Sequence, residues 1–276
     1  MISMAGMAAL GINAATLAVN GSYALTQSGA YHPVISIDGS RVLYSAEDYQ
    51  GLKMLDFQKN EVVAISESAG AGFAPRFAAD GEQVMYRCEG NMGRLRAKNV
   101  MSYDVVADKS MEVAPMSRSE VSLSSYTDAT LPQVRSDYRE IVVSIAGKES
   151  RINPVADAYS YMGVKLSPDA KRILFVEALK GVFVCNLDGT GLVSLGKGSY
   201  PSWLGNDFVL STRSTDDGDH VTSSYIVATE VATGKVTEIT AQDSMTEEAS
   251  GSIEAGKIVC NDVNGRLIVT EISVTE

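Results

Sequence analysis

The chain of 276 residues has only three cysteines, two histidines and one tryptophan. Each scarcity removes a class of chemistry. Cys88, Cys185 and Cys260 lie far apart, with no Cys-x-x-Cys or His–Cys spacing, so neither a zinc site nor a disulfide framework is expected. They read as small buried hydrophobes. His32 and His220 are too few for a metal site built from several histidines. No Gly-x-Ser-x-Gly nucleophile elbow occurs, and no length is left over for a separate hydrolase domain. Basic runs are also missing. With 23 Lys and Arg against 34 Asp and Glu, the net charge of −11 argues against nucleic acid as a partner. An acidic surface of this kind chiefly gives solubility.

Charge is absent from the start of the chain as well. No charged side chain precedes Asp38, and residues 1–21 (MISMAGMAALGINAATLAVNG) are apolar and rich in small residues. The stretch reads as a secretory signal that lacks the usual basic start, with cuts available after Ala15, Ala18 or Ala24. Gly, Ser and Asn interrupt it too often for a membrane span. The expected division is a signal peptide over residues 1–18 and one domain over residues 19–276, in a periplasmic or secreted protein.

What the chain does have is a repeated phrase. YHPVISIDGSRVLYS begins at Tyr31, FAPRFAADGEQVMYR at Phe73 and MGVKLSPDAKRILFV at Met162. Aligned without gaps, they superpose Asp38, Asp80 and Asp169, each followed four residues later by Val42, Val84 or Ile173. LPQVRSDYREIVVS is a weaker copy with Asp137 and Ile141, and Pro33, Pro75 and Pro132 stand five residues before their Asp. Asp-centred turns between alternating apolar runs are strand–turn–strand signals. A period near 40 residues with four strands per copy indicates a propeller blade. Two further copies, PSWLGNDFVLST and SIEAGKIVCND, have lost the Asp. Blades therefore start near residues 30, 73, 130, 161, 200 and 247. The predicted fold is all-β: a six-bladed β-propeller of four-stranded blades, the last closed by an N-terminal strand around Ser22–Ser28. That closure requires an early signal cut.

LSPDAKRILFV, VFVCNLDGTGLVSL and YHPVISIDGSRVLYS resemble the repeat of TolB-like six-bladed β-propellers, from about residue 30 to the end of the chain. The resemblance implies an exported monomer that engages a protein or peptide partner of the cell envelope. Related propellers also gate peptidases or process glycans, so a polysaccharide ligand is the alternative. Lyases of this fold hold a metal with several histidines, and this chain lacks them. No catalytic residue, metal or cofactor is assigned.

Candidate contact residues come from the start of each blade. Tyr31, Phe73, Tyr161 and Tyr200 would ring one end of the central channel, where aromatic rings can stack on sugars or accept a peptide side chain. His32 and Arg76 lie beside that ring. Packing between blades is the competing role for these aromatics, and the expected one for Trp203. Two polar insertions complete the list of candidates: Asp216, Asp217 and Asp219, an incomplete match to a calcium loop that reads as a solvated turn, and a loop over residues 89–98 carrying Arg94, Arg96 and Lys98.

Overall fold

The structure, a computed structural model, describes residues 15–25, 28–119, 123, 126, 128 and 130–275. Six antiparallel sheets follow one another along the chain as the blades of a β-propeller. The first blade comprises Tyr31–Ile35, Arg41–Ser45, Leu52–Asp56 and Glu61–Ser66. The second comprises Arg76–Phe77, Gln83–Met92, Leu95–Asp104 and Lys109–Ser117. Tyr161–Leu166, Arg172–Glu177, Gly181–Asn186 and Val193–Gly196 form the fourth. Ser199–Leu204, Phe208–Asp216, Val221–Glu230 and Val236–Glu238 form the fifth. In each, hydrogen-bonded neighbours are consecutive in sequence, and the first strand lies innermost.

The third blade is the departure. Only Gln133–Asp137, Glu140–Ile145 and Lys148–Ile152 pair among the described residues, and residues 153–160 reach the fourth blade without a strand. Its first turn is also tighter, since Asp137 pairs with Glu140 across two residues. In the first blade, by contrast, the last pair before the turn is Ile35 with Val42.

The repeated phrase sets each turn. Ser36 Oγ donates to Asp38 Oδ1 (2.6 Å) and accepts the Arg41 N–H (3.0 Å). Ser167, Asp169 and Arg172 repeat the arrangement at 2.6 and 2.9 Å. Gly39 is required twice over: its φ is +66°, and a Cβ there would stand 2.3 Å from Ala255 Cβ in the sixth blade.

Second strands are buried on both faces, because alternate residues serve opposite neighbours. Val42 packs with Val259 and Val269 of the sixth blade, while Leu43 packs with Val84 and Tyr86 of the second. Ile173 joins Ile141 of the third blade, and Leu174 joins Val209 of the fifth. All three cysteines are free, with Cys185 and Cys260 buried in these seams.

The sixth blade closes the ring. Thr246–Ser252, Lys257–Asp262 and Leu267–Thr275 are completed by the N-terminal strand Thr16–Ala24, which pairs from Thr16↔Thr275 to Ala24↔Ile268. The closing strand thus starts six residues earlier than the one expected from Ser22. It also crosses the boundary drawn at residue 18, since Leu17 and Ala18 pair with Val274 and Ser273 and Leu17 is buried. The signal assigned to residues 1–18 otherwise falls on residues 1–14, outside the described residues.

Candidate functional site

One backbone feature recurs at the channel mouth. His32, Ala74, Gly163 and Glu248 have φ between +47° and +60° and stand six residues before Asp38, Asp80, Asp169 and Glu254. Tyr200, with φ +50°, has the same offset from Asn206. In four of these five blades the ladder register shifts across that residue, the mark of a β-bulge. Bulges re-aim side chains, and the left-handed region costs a non-glycine residue roughly 1–2 kcal/mol. His32, Tyr200 and Glu248 bear that cost at the start of the innermost strands.

These positions build a compact cluster. His32 Nδ1 bonds to Glu248 Oε2, joining the first and sixth blades. Its Nε2 is 2.7 Å from the Glu47 carbonyl. Both partners present oxygen acceptors, an arrangement that favours the doubly protonated ring. Burial by itself would lower the His32 pKa, but the bonds to Glu248 and Glu47 and the charges of Glu248 and Asp48 outweigh it and raise it. The ring lies flat on Tyr49, with centroids 3.8 Å apart, and Tyr49 meets Phe73 edge-on at 5.1 Å. Lys98 and Arg87 approach the Phe73 face at 5.6 and 5.9 Å. Tyr200 is half exposed. Burial, then the charges of Glu248 and Glu247, raise its pKa. The Tyr49 hydroxyl is pushed up to about 12 by burial, Glu248 and Tyr200.

Further along the innermost strands stand two cations. Arg76 lies two residues past Ala74 and Lys165 two past Gly163. Solvent reaches Arg76 from the channel, yet protein surrounds it. Burial and the neighbouring Arg87 lower its pKa. Lys165 Nζ donates to the Pro201 carbonyl at 2.8 Å. Burial and Arg76 push Lys165 down to about 8, against a smaller upward pull from Glu248.

His32, Phe73 and Tyr200 therefore stand at the mouth, and Arg76 farther in. Tyr31 packs on the sixth blade's turn between Asp262 and Leu267, where its ring would stand 2.6 Å from a Cβ at Gly265. Tyr161 requires a correction, because it is 2% exposed within the core shared by the third and fourth blades. Its hydroxyl accepts the Val155 N–H at 3.1 Å and its ring packs edge-on against Phe175, so it offers no surface to the channel. Glu248 and Tyr49 were not anticipated. A signal for Glu248 exists in the repeat offset it shares with His32, whereas Tyr49 sits in an ordinary polar turn.

Neither insertion is an irregular loop. The residues 89–98 segment continues a hairpin whose pairing runs to Met92↔Leu95, and the fifth blade's hairpin runs to Asp216↔Val221. Asp217 caps that turn by accepting the Asp219 and His220 N–H groups at 3.0 and 2.8 Å. Among the described residues no group of three or more His, Cys, Asp or Glu is placed to hold a metal ion.

No protein-family model and no curated protein matches the sequence. Solved structures do resemble the fold. A Bacteroides thetaiotaomicron protein of unknown function superposes with a TM-score of 0.60 at 8% identity, covering 94% of this chain and 76% of that one. The β-propeller domain of Cps50 (Swd1) from Myceliophteria thermophila gives 0.56 at 9%, covering 90% and 98%. A protein assigned as TolB from Agrobacterium tumefaciens gives 0.53 at 14%, covering 91% and 92%. The likeness shows the propeller fold alone.

Proposed function

We propose that this protein is a non-enzymatic binding module of the cell envelope, a TolB-like propeller whose channel mouth receives a peptide or loop of a partner protein. The observation that carries the reading is the cluster of His32, Tyr49, Phe73, Tyr200 and Glu248, three of them held on left-handed backbone at one repeat offset. Strain kept at equivalent positions of successive repeats points to side chains positioned for contact. His32 bonds Glu248 and the Glu47 carbonyl within the fold, which gives the one histidine of the mouth a structural role. An exported location fits the uncharged stretch before Asp38. Among the described residues no helix is long and apolar enough to cross a membrane.

The half-exposed rings of Tyr200 and Phe73 also suit a sugar, so glycan binding is the second reading. A thermal-shift screen against envelope polysaccharides and fractionated envelope proteins separates the two. A ligand at a hundred times its Kd adds about 2.7 kcal/mol of stability, a clear shift in the melt. The expected result is a shift with a protein fraction that disappears in the Phe73→Ala/Tyr200→Ala double variant. A shift with polysaccharide alone transfers the assignment to glycans, and a protein-induced shift that survives the double variant removes the mouth from the binding surface.

A further inference from the structure

Past the mouth, a cavity of about 300 Å³ is bounded by Arg76, Lys165, Leu131, Leu166, Pro168 and Trp203. This is the small end of the range for ligand sites. Its composition is lopsided. Two cationic side chains from the second and fourth blades reach it, no carboxylate lines it, and the remaining wall is largely apolar. Arg76 makes no ion pair or hydrogen bond to protein among the described residues, so the donors of its guanidinium are left to the solvent of the channel. Lys165 has one acceptor, the Pro201 carbonyl, for an ammonium that can donate three bonds. Glu248, the one carboxylate that acts on Lys165, is already bonded to His32. Placing two partly desolvated like charges together is unfavourable unless an anion joins them.

We infer that this cavity is a carboxylate site, taking an anionic head between Arg76 and Lys165 and a small apolar body against Trp203, Leu131 and Leu166. The inference rests on the binding reading above only for the route by which the carboxylate enters. Fork-like donors on Arg76 suit a planar carboxylate, and Lys165 supplies the second charge. The groups acting on this pair are Arg87 beside Arg76, and Arg76 and Glu248 beside Lys165. Burial and Arg76 push Lys165 down to about 8, so affinity falls as the pH rises past that value.

Calorimetric titration of the full chain with hexanoate at pH 7 tests the site, with Lys165→Met, Arg76→Met and Tyr200→Ala as variants. Hexanoate is expected to bind the parent protein, at least tenfold more weakly to each of the first two variants, and unchanged to Tyr200→Ala. Lys165→Met replaces a desolvated cation by an apolar side chain of similar length, so its melt stays at or above that of the parent and verifies folding. Failure of the parent to bind millimolar hexanoate, or unchanged binding in both cation variants, overturns the inference. Inorganic phosphate binding as tightly as hexanoate overturns the apolar half of it. A blocked acetyl-Leu-Glu-Leu-amide peptide that binds tenfold tighter than hexanoate shows that the carboxylate arrives on a polypeptide; weaker binding shows a free organic acid. Loss of partner binding in Phe73→Ala/Tyr200→Ala with hexanoate binding intact separates failure at the mouth from failure here.

Discussion

His32 is fixed by two acceptors and a stacked ring, and its charge is therefore part of how the first and sixth blades meet. Its folded pKa lies above the unfolded value near 6.5. The resulting stability is fully present below pH 6.5 and is lost as pH rises through the folded pKa. Glu248→Gln removes the carboxylate, so the His32 titration seen by NMR should move to lower pH. Urea unfolding of the variant should then vary less between pH 6 and 9 than that of the parent. An unmoved His32 titration would mean that Glu248 does not hold the charge. Tyr200 supports a sharper test of strain. With φ at +50° and half of its surface exposed, Tyr200→Gly should leave stability unchanged or raise it by up to about 1 kcal/mol, while weakening partner binding. A clear drop in the melting temperature would instead make Tyr200 a packing residue.

The informative elements are the long hairpins of the second and fifth blades, which face each other across a ring of six. Both project from the mouth end, where the turn between second and third strands brings Tyr49 against His32 and Lys98 over Phe73. Their tips have opposite character. The second blade's carries Arg94 and Arg96 with exposed Met92 and Leu95, and the fifth blade's carries Asp216, Asp217 and Asp219. A partner lying across the mouth would meet a basic arm on one side and an acidic arm on the other, which fixes its orientation. Every residue from 91 to 96 is exposed, so replacing residues 91–96 by Asn-Gly on the Gly90↔Ala97 pair should cost no core contact. Surface changes of this kind alter stability by roughly 0.5 kcal/mol, or about 2 °C for a domain of this size. Partner binding should weaken, and its salt dependence should flatten. Unaltered affinity and salt dependence would leave recognition to the channel mouth alone.

At the scale of the whole molecule, the ring was legible because each blade restates its own turn chemistry. Ser36–Asp38–Arg41 and Ser167–Asp169–Arg172 are the same local solution written twice, and the alternating Val42/Leu43 and Ile173/Leu174 pairs declare two buried faces. The third blade kept its Asp and Ile spacing but tightened its turn, a change that no residue of SDYRE announces. The site was legible only in part: His32 and Phe73 sit in the repeated phrase and Glu248 shares the offset of His32, but Tyr49 lies in an ordinary polar turn and only ring closure brings Glu248 beside His32. Closure also decides how the molecule is held together. Thr16–Ala24 covers the last strand of the sixth blade, and Leu17 enters the core between the fifth and sixth blades beside Leu210, Ile258 and Ile272. Leu17→Ala should therefore cost about 2–5 kcal/mol, which lowers the melting temperature by roughly 5–15 °C. Removing the chain through Ala24 should do worse, because Leu267–Thr275 would become an open edge able to pair with a second molecule. A truncated protein that stays monomeric in sedimentation and melts with the parent would show that the ring holds without its closing strand. Loss of the monomer, with Leu17→Ala melting in between, would show that this strand completes the fold.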